Sequence, residues 1–167
     1  MYLFGHLGIG ATLVSPWTQR LRLRWLFLGT LLPDLIDKPL YYGLSVTTGK
    51  IGAQIGVVSG TRTFGHTLIF ILVFLGICFS KRSKVLAAIA LGIGTHLLLD
   101  GLSSWFMGDP KKEFLQVILW PYPNGIFPAY SYENLADHLS LWKRPFLLFC
   151  EGLGGFLLFR MRLRSRI

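Results

Sequence analysis

Three histidines and three aspartates of this chain stand within apolar stretches, where an ionisable side chain is costly unless another group pairs with it. A metal ion is a common partner for such groups. Imidazoles and carboxylates without a thiolate fit zinc in a hydrolytic site, or manganese, iron or magnesium, better than a structural thiolate cage. The six candidate metal ligands are His6, Asp34, Asp37, His66, His96 and Asp100.

The spacing of four candidates places them in pairs. Asp34 and Asp37 are three residues apart, and His96 and Asp100 are four apart, so each pair lies on one face of a helix. A catalytic zinc usually takes three protein ligands and keeps one position for water. Six ligands exceed that number, so we expect two zinc ions that share a carboxylate.

Each candidate also has an ordinary structural interpretation. His6 alone would be a hydrogen-bonded core histidine, and Asp34, which follows Pro33, would cap a turn. His96 and Asp100 would form an intrahelical pair. These interpretations weaken when they are taken together, because all of them would have to hold at the same depth of one structure.

The composition predicts an all-α integral membrane protein. Of the 167 residues, 52% are hydrophobic and 15% are charged, and the mean hydropathy is +0.52, which is too apolar for a typical soluble domain. We expect a single membrane domain over residues 1–167, a bundle of about five transmembrane helices. Their predicted ranges are Tyr2 to Trp17, Leu23 to Ile36, Phe64 to Ser80, Lys84 to Phe106 and Pro145 to Arg162.

Two connections complete this bundle. Tyr41 to Thr63 is rich in Gly, Ser and Thr and is predicted to be a loop. Met107 to Arg144 is the longest connection, and its prolines predict an extended cover that lies on the bundle. Tyr132 to Trp142 is predicted to form a short interfacial helix within it.

The net charge of +9 comes from basic clusters at the ends of apolar runs, which follows the positive-inside rule and argues against nucleic-acid binding. The side that carries ten of these residues is predicted to be cytoplasmic. The amino terminus and the long connection then face the extracytoplasmic side. The ten residues are Arg20, Arg22, Arg24, Lys81, Arg82, Lys84, Arg160, Arg162, Arg164 and Arg166.

With this topology the six candidate ligands share one depth. At about 1.5 Å per helical residue, each lies roughly 15–23 Å from the cytoplasmic end of its segment. Four separate segments therefore deliver their ionisable groups to one slab, in the outer half of a hydrocarbon core about 30 Å thick. This coincidence favours a shared metal site.

Three further residues are candidates for lesser roles. Arg62 lies four residues before His66, where its guanidinium would grip a phosphate in bidentate fashion; a contact with lipid headgroups is the alternative. Glu151 stands in an apolar run and would accept a hydrogen bond from a ligand histidine. His138 follows an aspartate in a polar stretch and is predicted to be a surface residue.

The ordered set of motifs resembles that of the YdjM-like membrane-bound metal-dependent hydrolases, inner-membrane proteins of which some are under LexA control. The family pattern PD-x-D-H is altered here, with Lys38 in place of the histidine, and Thr61 replaces a histidine before the third motif. The residues that carry the resemblance are His6, Asp34 with Asp37, Arg62 with His66, His96 with Asp100, and Leu119 to Pro121.

The family is distantly similar to zinc-dependent phospholipase C and single-strand nucleases, which implies phosphoester hydrolysis. The leading hypothesis is a metal-dependent hydrolase of a membrane lipid phosphoester, which uses metal-activated water and a catalytic Arg62. It would lie in a bacterial or archaeal cytoplasmic membrane with its metal site toward the extracytoplasmic side. The alternatives are a non-enzymatic carrier of metal or protons and a structural membrane protein stapled by metal. The oligomeric state does not follow from the sequence.

Overall fold

The computed structural model describes residues 2–18, 23–107, 111–122, 124–128 and 144–164. Over these ranges the chain is helical and contains no β-strand, as the composition predicts. A π-helical turn, Gly5–Ile9, leads into α1, and short 3-10 helices lie at Gly52–Ile55 and Phe64–His66. The α-helices are α1 (Gly10–Thr18), α2 (Leu23–Thr48), α3 (Leu68–Lys81), α4 (Lys84–Met107), α5 (Lys111–Ile118) and α6 (Pro145–Arg164).

Helix α4 is the centre of the structure and packs against α1, α2 and α3. Glycines bring the backbones of α2 and α4 into contact. A Cβ atom at Gly92 would overlap the carbonyl oxygen of Leu26, and one at Gly29 would overlap that of Ile89. Small residues allow such close approach between apolar helices. The same kind of contact, through Gly8 and Gly154, joins the π-helical turn to α6.

The predicted end of the second helix is wrong. Helix α2 continues past Ile36 to Thr48 and contains Pro33 and Pro39, so the first part of the predicted loop is helical. Each proline removes only one backbone hydrogen bond from a helix, and tertiary contacts can offset that loss. Tyr41 provides such a contact: its side chain is buried, and its hydroxyl accepts a hydrogen bond from the backbone N–H of Gly52 (3.1 Å).

The third helix begins at Leu68, four residues later than predicted. Thr67 is its N-cap, and the Thr67 hydroxyl accepts a hydrogen bond from the backbone N–H of Phe70 (3.1 Å). The preceding residues form the 3-10 turn Phe64–His66 instead. His66 therefore lies on a tight turn before the helix and not within it.

The long connection contains an unpredicted helix, α5, followed by a compact segment over residues 119–122 and 124–128. Phe127 is buried in this segment, and its carbonyl oxygen accepts a hydrogen bond from the Ser59 hydroxyl (2.7 Å). Phe127 also packs edge-to-face on Phe64, with the ring centroids 5.2 Å apart. The segment thus covers the turn that carries His66. The predicted helix over Tyr132 to Trp142 lies outside the described residues.

Five transmembrane helices are not confirmed. Of the described helices, one is long and apolar enough to cross a membrane, namely α4 over Lys84–Phe106. Helix α3 is apolar but has 14 residues, about 21 Å, which is short of a hydrocarbon core of about 30 Å. Helices α2 and α6 have the length, but charged residues interrupt their apolar sequences.

Candidate metal site

The structure brings five of the six candidate ligands into one cluster. His6 comes from the π-helical turn, Asp34 from α2, His66 from the 3-10 turn, and His96 and Asp100 from α4. Four of these side chains are almost fully buried, and Asp34 is partly exposed. Segments far apart in sequence therefore converge on one site.

The Nε2 atoms of His66 and His96 lie 3.1 Å apart at the centre of the cluster. Asp34 Oδ1 is 3.6 Å from His66 Nε2 and 3.9 Å from His96 Nε2. Asp100 Oδ2 lies 3.5 Å and 3.7 Å from the same two nitrogens. Each of these two carboxylate oxygens is thus within 4 Å of both imidazole nitrogens.

The other nitrogen of each ring is already engaged. His96 Nδ1 donates a hydrogen bond to the carbonyl oxygen of Thr30 (2.7 Å), which can only accept. His66 Nδ1 lies 2.7 Å from Asp37 Oδ2. When Nδ1 carries the proton, a neutral imidazole has its lone pair on Nε2, so two lone pairs point at each other among carboxylate oxygens. A cation between them is strongly favoured.

Asp37 differs from the other candidates because it orients this part of the site. Its side chain is fully buried, and Oδ2 accepts hydrogen bonds from His66 Nδ1 and from the backbone N–H of Thr63 (2.6 Å). Oδ1 accepts a hydrogen bond from the backbone N–H of Gly65 (3.0 Å). The structure therefore places Asp37 beside the outer nitrogen of His66, and not among the atoms that face the cluster centre.

His6 completes the cluster on the α1 side. Its ring stacks on that of His96, with the centroids 4.0 Å apart, and His6 Nε2 lies 3.3 Å from Asp100 Oδ1. Among the described residues, neither ring nitrogen of His6 has a hydrogen-bond partner of suitable geometry, although both are buried. Buried polar atoms of folded proteins are usually satisfied, so the His6 ring adds two buried polar atoms that still need partners to this side of the cluster.

The residues present fit a metal ion. Two histidine ligands that share a tetrahedral zinc at 2.0–2.1 Å lie about 3.3 Å apart, close to the separation of the two central nitrogens. Two overlapping groups of ligand atoms could hold an ion: His6, His96 and Asp100, or Asp34, His66 and His96. Both groups contain His96, and with its Nδ1 engaged this residue offers one nitrogen only.

Two cations flank the cluster, each joined to a candidate ligand. Arg62 Nε lies 3.0 Å from Asp100 Oδ2, and Lys38 Nζ lies 2.5 Å from Asp34 Oδ2. Both cationic side chains are partly exposed. With neutral imidazoles, three carboxylates and two cations leave a net charge of −1 on the side chains of Asp34, Asp37, Asp100, Lys38 and Arg62.

The negative charge around His66 also favours a bound cation. The carboxylates of Asp34, Asp37 and Asp100 each lie within 3.6 Å of a nitrogen of the His66 ring. The surroundings of His66 therefore stabilise positive charge at the 3-10 turn. A metal ion competes with the proton for such a position.

Glu151 does not contact a ligand histidine, so that prediction is wrong. Its carboxylate accepts hydrogen bonds from the backbone N–H groups of Tyr2 (3.1 Å), Phe4 (2.8 Å) and Gly5 (2.9 Å). These are unpaired donors at the start of a helix, where a carboxylate is stabilising. Glu151 thus holds the backbone immediately before His6. His138 lies outside the described residues.

Sequence reasoning missed two neighbours of the cluster. The contact between Lys38 and Asp34 has a sequence signal, because the residues are four apart on one helix. Ser104, whose hydroxyl accepts a hydrogen bond from Arg62 Nη1 (3.2 Å), has no comparable signal. It lies four residues beyond Asp100 on α4, so its position becomes informative only once Arg62 is placed.

A model of one protein family, described as YdjM inner membrane protein, matches residues 1–136. No curated protein and no solved structure shows a significant match to the chain. The family match covers most of the chain, includes all six candidate ligands and confirms the resemblance that the motifs predict. The match also supports the prediction of a membrane protein. The chain belongs to the YdjM inner membrane protein family.

Proposed function

We propose that this protein is a metal-dependent hydrolase that acts on a phosphoester of a membrane lipid. The observation that carries the proposal is the convergence of His66 Nε2 and His96 Nε2 at 3.1 Å, each with its other nitrogen engaged, between the carboxylates of Asp34 and Asp100. Neutral lone pairs and carboxylate oxygens repel at such distances unless a proton or a metal ion lies among them. Histidine and carboxylate ligands favour zinc, with manganese, iron or magnesium as alternatives.

The described ligand atoms favour one ion instead of the two predicted from the sequence. His96 has a single nitrogen to offer, so separate ions cannot occupy both overlapping groups through it. One divalent ion would change the charge of the five charged side chains from −1 to +1, whereas two would bring it to +3. A single positive charge is neutralised by one singly charged phosphoester. We therefore propose one ion, held by His66, His96 and Asp34, with Asp100 and His6 beside it.

A divalent ion held by His66, His96 and Asp34 would lower the pKa of water and would stabilise negative charge on a phosphoryl oxygen. Asp37 and the carbonyl oxygen of Thr30 hold the two imidazoles in the ligating orientation. Arg62 is held by Asp100, and we propose that it orients the phosphate. Hydrolysis joins the oxygen of water to phosphorus and breaks the phosphorus–oxygen bond to the alcohol, which takes up a proton.

The family places the protein in a membrane, and this supports a lipid as the source of the phosphoester. Lipids reach a membrane-embedded site by lateral diffusion, whereas a soluble phosphoester would have to enter an apolar surrounding. The orientation proposed from the basic clusters puts the site toward the extracytoplasmic leaflet. Protease protection of tags placed at either end of α4 would test that orientation.

The direct test combines elemental analysis with turnover. Protein purified without chelator should contain about one transition-metal ion per chain and should release phosphate or diacylglycerol from lipid substrates. His96→Ala should lose both the ion and the turnover. His138→Ala, which changes the fourth histidine of the chain, is the matched control and should lose neither. Less than half an ion per chain in the unaltered protein would overturn the proposal.

The same experiment separates the other two functions. Metal or proton flux in proteoliposomes without phosphoester turnover would identify a carrier. An ion that raises the unfolding temperature, with neither turnover nor flux, would identify a structural staple. Either result would exclude the hydrolase.

A further inference from the structure

We propose that an apolar cavity between α4 and α5 binds the alkyl chain of the substrate and makes the protein selective for long-chain phosphoesters. This inference rests on the proposed function, because it supplies the chain-binding part of the same site. The cavity is about 390 Å³, within the range of small-molecule sites. Leu98, Leu102 and Trp105 of α4 form one wall, and Phe114 and Leu115 of α5 form the other.

The cavity adjoins the candidate metal site through α4. Two of its lining residues, Leu97 and Gly101, directly follow the candidate ligands His96 and Asp100. Phe114 packs so closely on Gly101 that a Cβ atom there would lie 2.8 Å from the Phe114 ring. Helix α5 is therefore packed, through Phe114, on the residue that directly follows Asp100.

One polar side chain, Ser104, connects the cavity to the charged groups. Its hydroxyl accepts a hydrogen bond from Arg62 Nη1 (3.2 Å), and Arg62 Nε lies 3.0 Å from Asp100 Oδ2. The wall of the cavity is thus two contacts away from a candidate ligand. A phosphoester whose alkyl chain lies between α4 and α5 would place its negatively charged phosphate at the positively charged guanidinium of Arg62.

The remaining lining explains why the occupant is a hydrocarbon chain. Among the described residues, no charged one lines the cavity, and apart from Ser104 its walls consist of leucine, glycine and aromatic residues. Leu98 and Trp105 are largely exposed on α4, so the cavity is open on the apolar surface of that helix. Each methylene group that moves from water into such a site increases affinity about fourfold.

Photo-crosslinking tests the cavity without requiring turnover. The probe is dodecyl phosphate with a diazirine at the end of its chain, added to the full-length protein in nanodiscs. We expect label on residues 97–105 of α4 and on α5. Leu102→Trp and, from the opposite wall, Leu115→Trp should each lower that label at least fivefold. Leu13→Trp is the control: Leu13 and Leu102 are similarly exposed leucines (46% and 44%), but Leu13 lies on α1, away from the cavity.

Turnover provides the second readout. Leu102→Trp should lower kcat/KM at least tenfold for 4-nitrophenyl dodecyl phosphate and less than twofold for 4-nitrophenyl methyl phosphate. Leu13→Trp should change kcat/KM for neither substrate. Localised label without any hydrolysis would support the chain site and contradict the proposed hydrolase. Hydrolysis with evenly distributed label, or with equal loss for both esters in Leu102→Trp, would overturn the chain site and leave the hydrolase standing.

Discussion

Asp34 and Asp37 have the same side chain, three residues apart, but different surroundings, and replacing each by asparagine should give different results. Asp37 accepts three buried hydrogen bonds, two from backbone N–H groups and one from His66. An asparagine there has one acceptor oxygen and an NH2 group that would face a donor. Asp34 faces the cluster centre through Oδ1, and its Oδ2 pairs with Lys38 near the surface.

The expected magnitudes follow from these contacts. Asp37→Asn leaves at least one buried N–H group unsatisfied, which costs about 1–3 kcal/mol, and weakens the remaining bonds by about 1 kcal/mol more. The metal-free protein should therefore lose about 2–4 kcal/mol of unfolding free energy, or about 4–16 °C in Tm. Its metal affinity should fall about 10–100-fold, because His66 loses its orienting partner. Asp34→Asn removes a partly exposed i,i+4 pair worth about 0.3–0.5 kcal/mol, so Tm should hardly change.

The assay measures Tm of both metal-free variants in detergent and their zinc affinity by competition with a chromophoric chelator. Asp34→Asn should lose more metal affinity than Asp37→Asn while it keeps the unaltered Tm. If the two variants lose the same zinc affinity, and metal-free Asp37→Asn has the same Tm as the metal-free unaltered protein, then Asp37 is a ligand, as the sequence predicts. The role inferred from its hydrogen bonds would then be wrong.

Three other perturbations address the frame around the cluster. Gly92→Ala should lower Tm and metal affinity together, since its Cβ would overlap the carbonyl oxygen of Leu26; Gly76→Ala on α3, where nothing lies within 4 Å, should keep or raise Tm and serves as the control. Glu151→Gln should lower Tm by weakening three charge-assisted hydrogen bonds. If the variant also contains fewer metal ions per chain, the metal site depends on the backbone segment that Glu151 holds before His6. Chelator should lower Tm of the unaltered protein but not of His96→Ala, and equal shifts in both would place the metal elsewhere.

The sequence predicts the members of the cluster better than their roles. Residue type and periodicity identify the candidate ligands because ionisable groups in apolar helices are rare and costly. The division of labour between Asp34 and Asp37 depends on where the turn Phe64–His66 packs against α2, and no local pattern encodes that contact. Spacing alone therefore assigns both carboxylates to the metal.

The helix ends show the same limit. Pro39 is a sound reason to end a helix, but Tyr41 is held by a hydrogen bond from Gly52, and the helix continues. The anchor at Glu151 is missed for a related cause, because its partners lie 146–149 positions away along the chain. Contacts of that range can be found only from the folded structure.

The hydrogen bonds between Glu151 and residues 146–149 positions earlier in the chain also bear on biosynthesis. His6 leaves the ribosome before the carboxylate that fixes its backbone has been translated. A nascent chain can therefore assemble the α2–α4 part of the cluster while His6 still lacks its anchor. The polypeptide thus has an interval in which it can enter the bilayer before all five clustered side chains are held together.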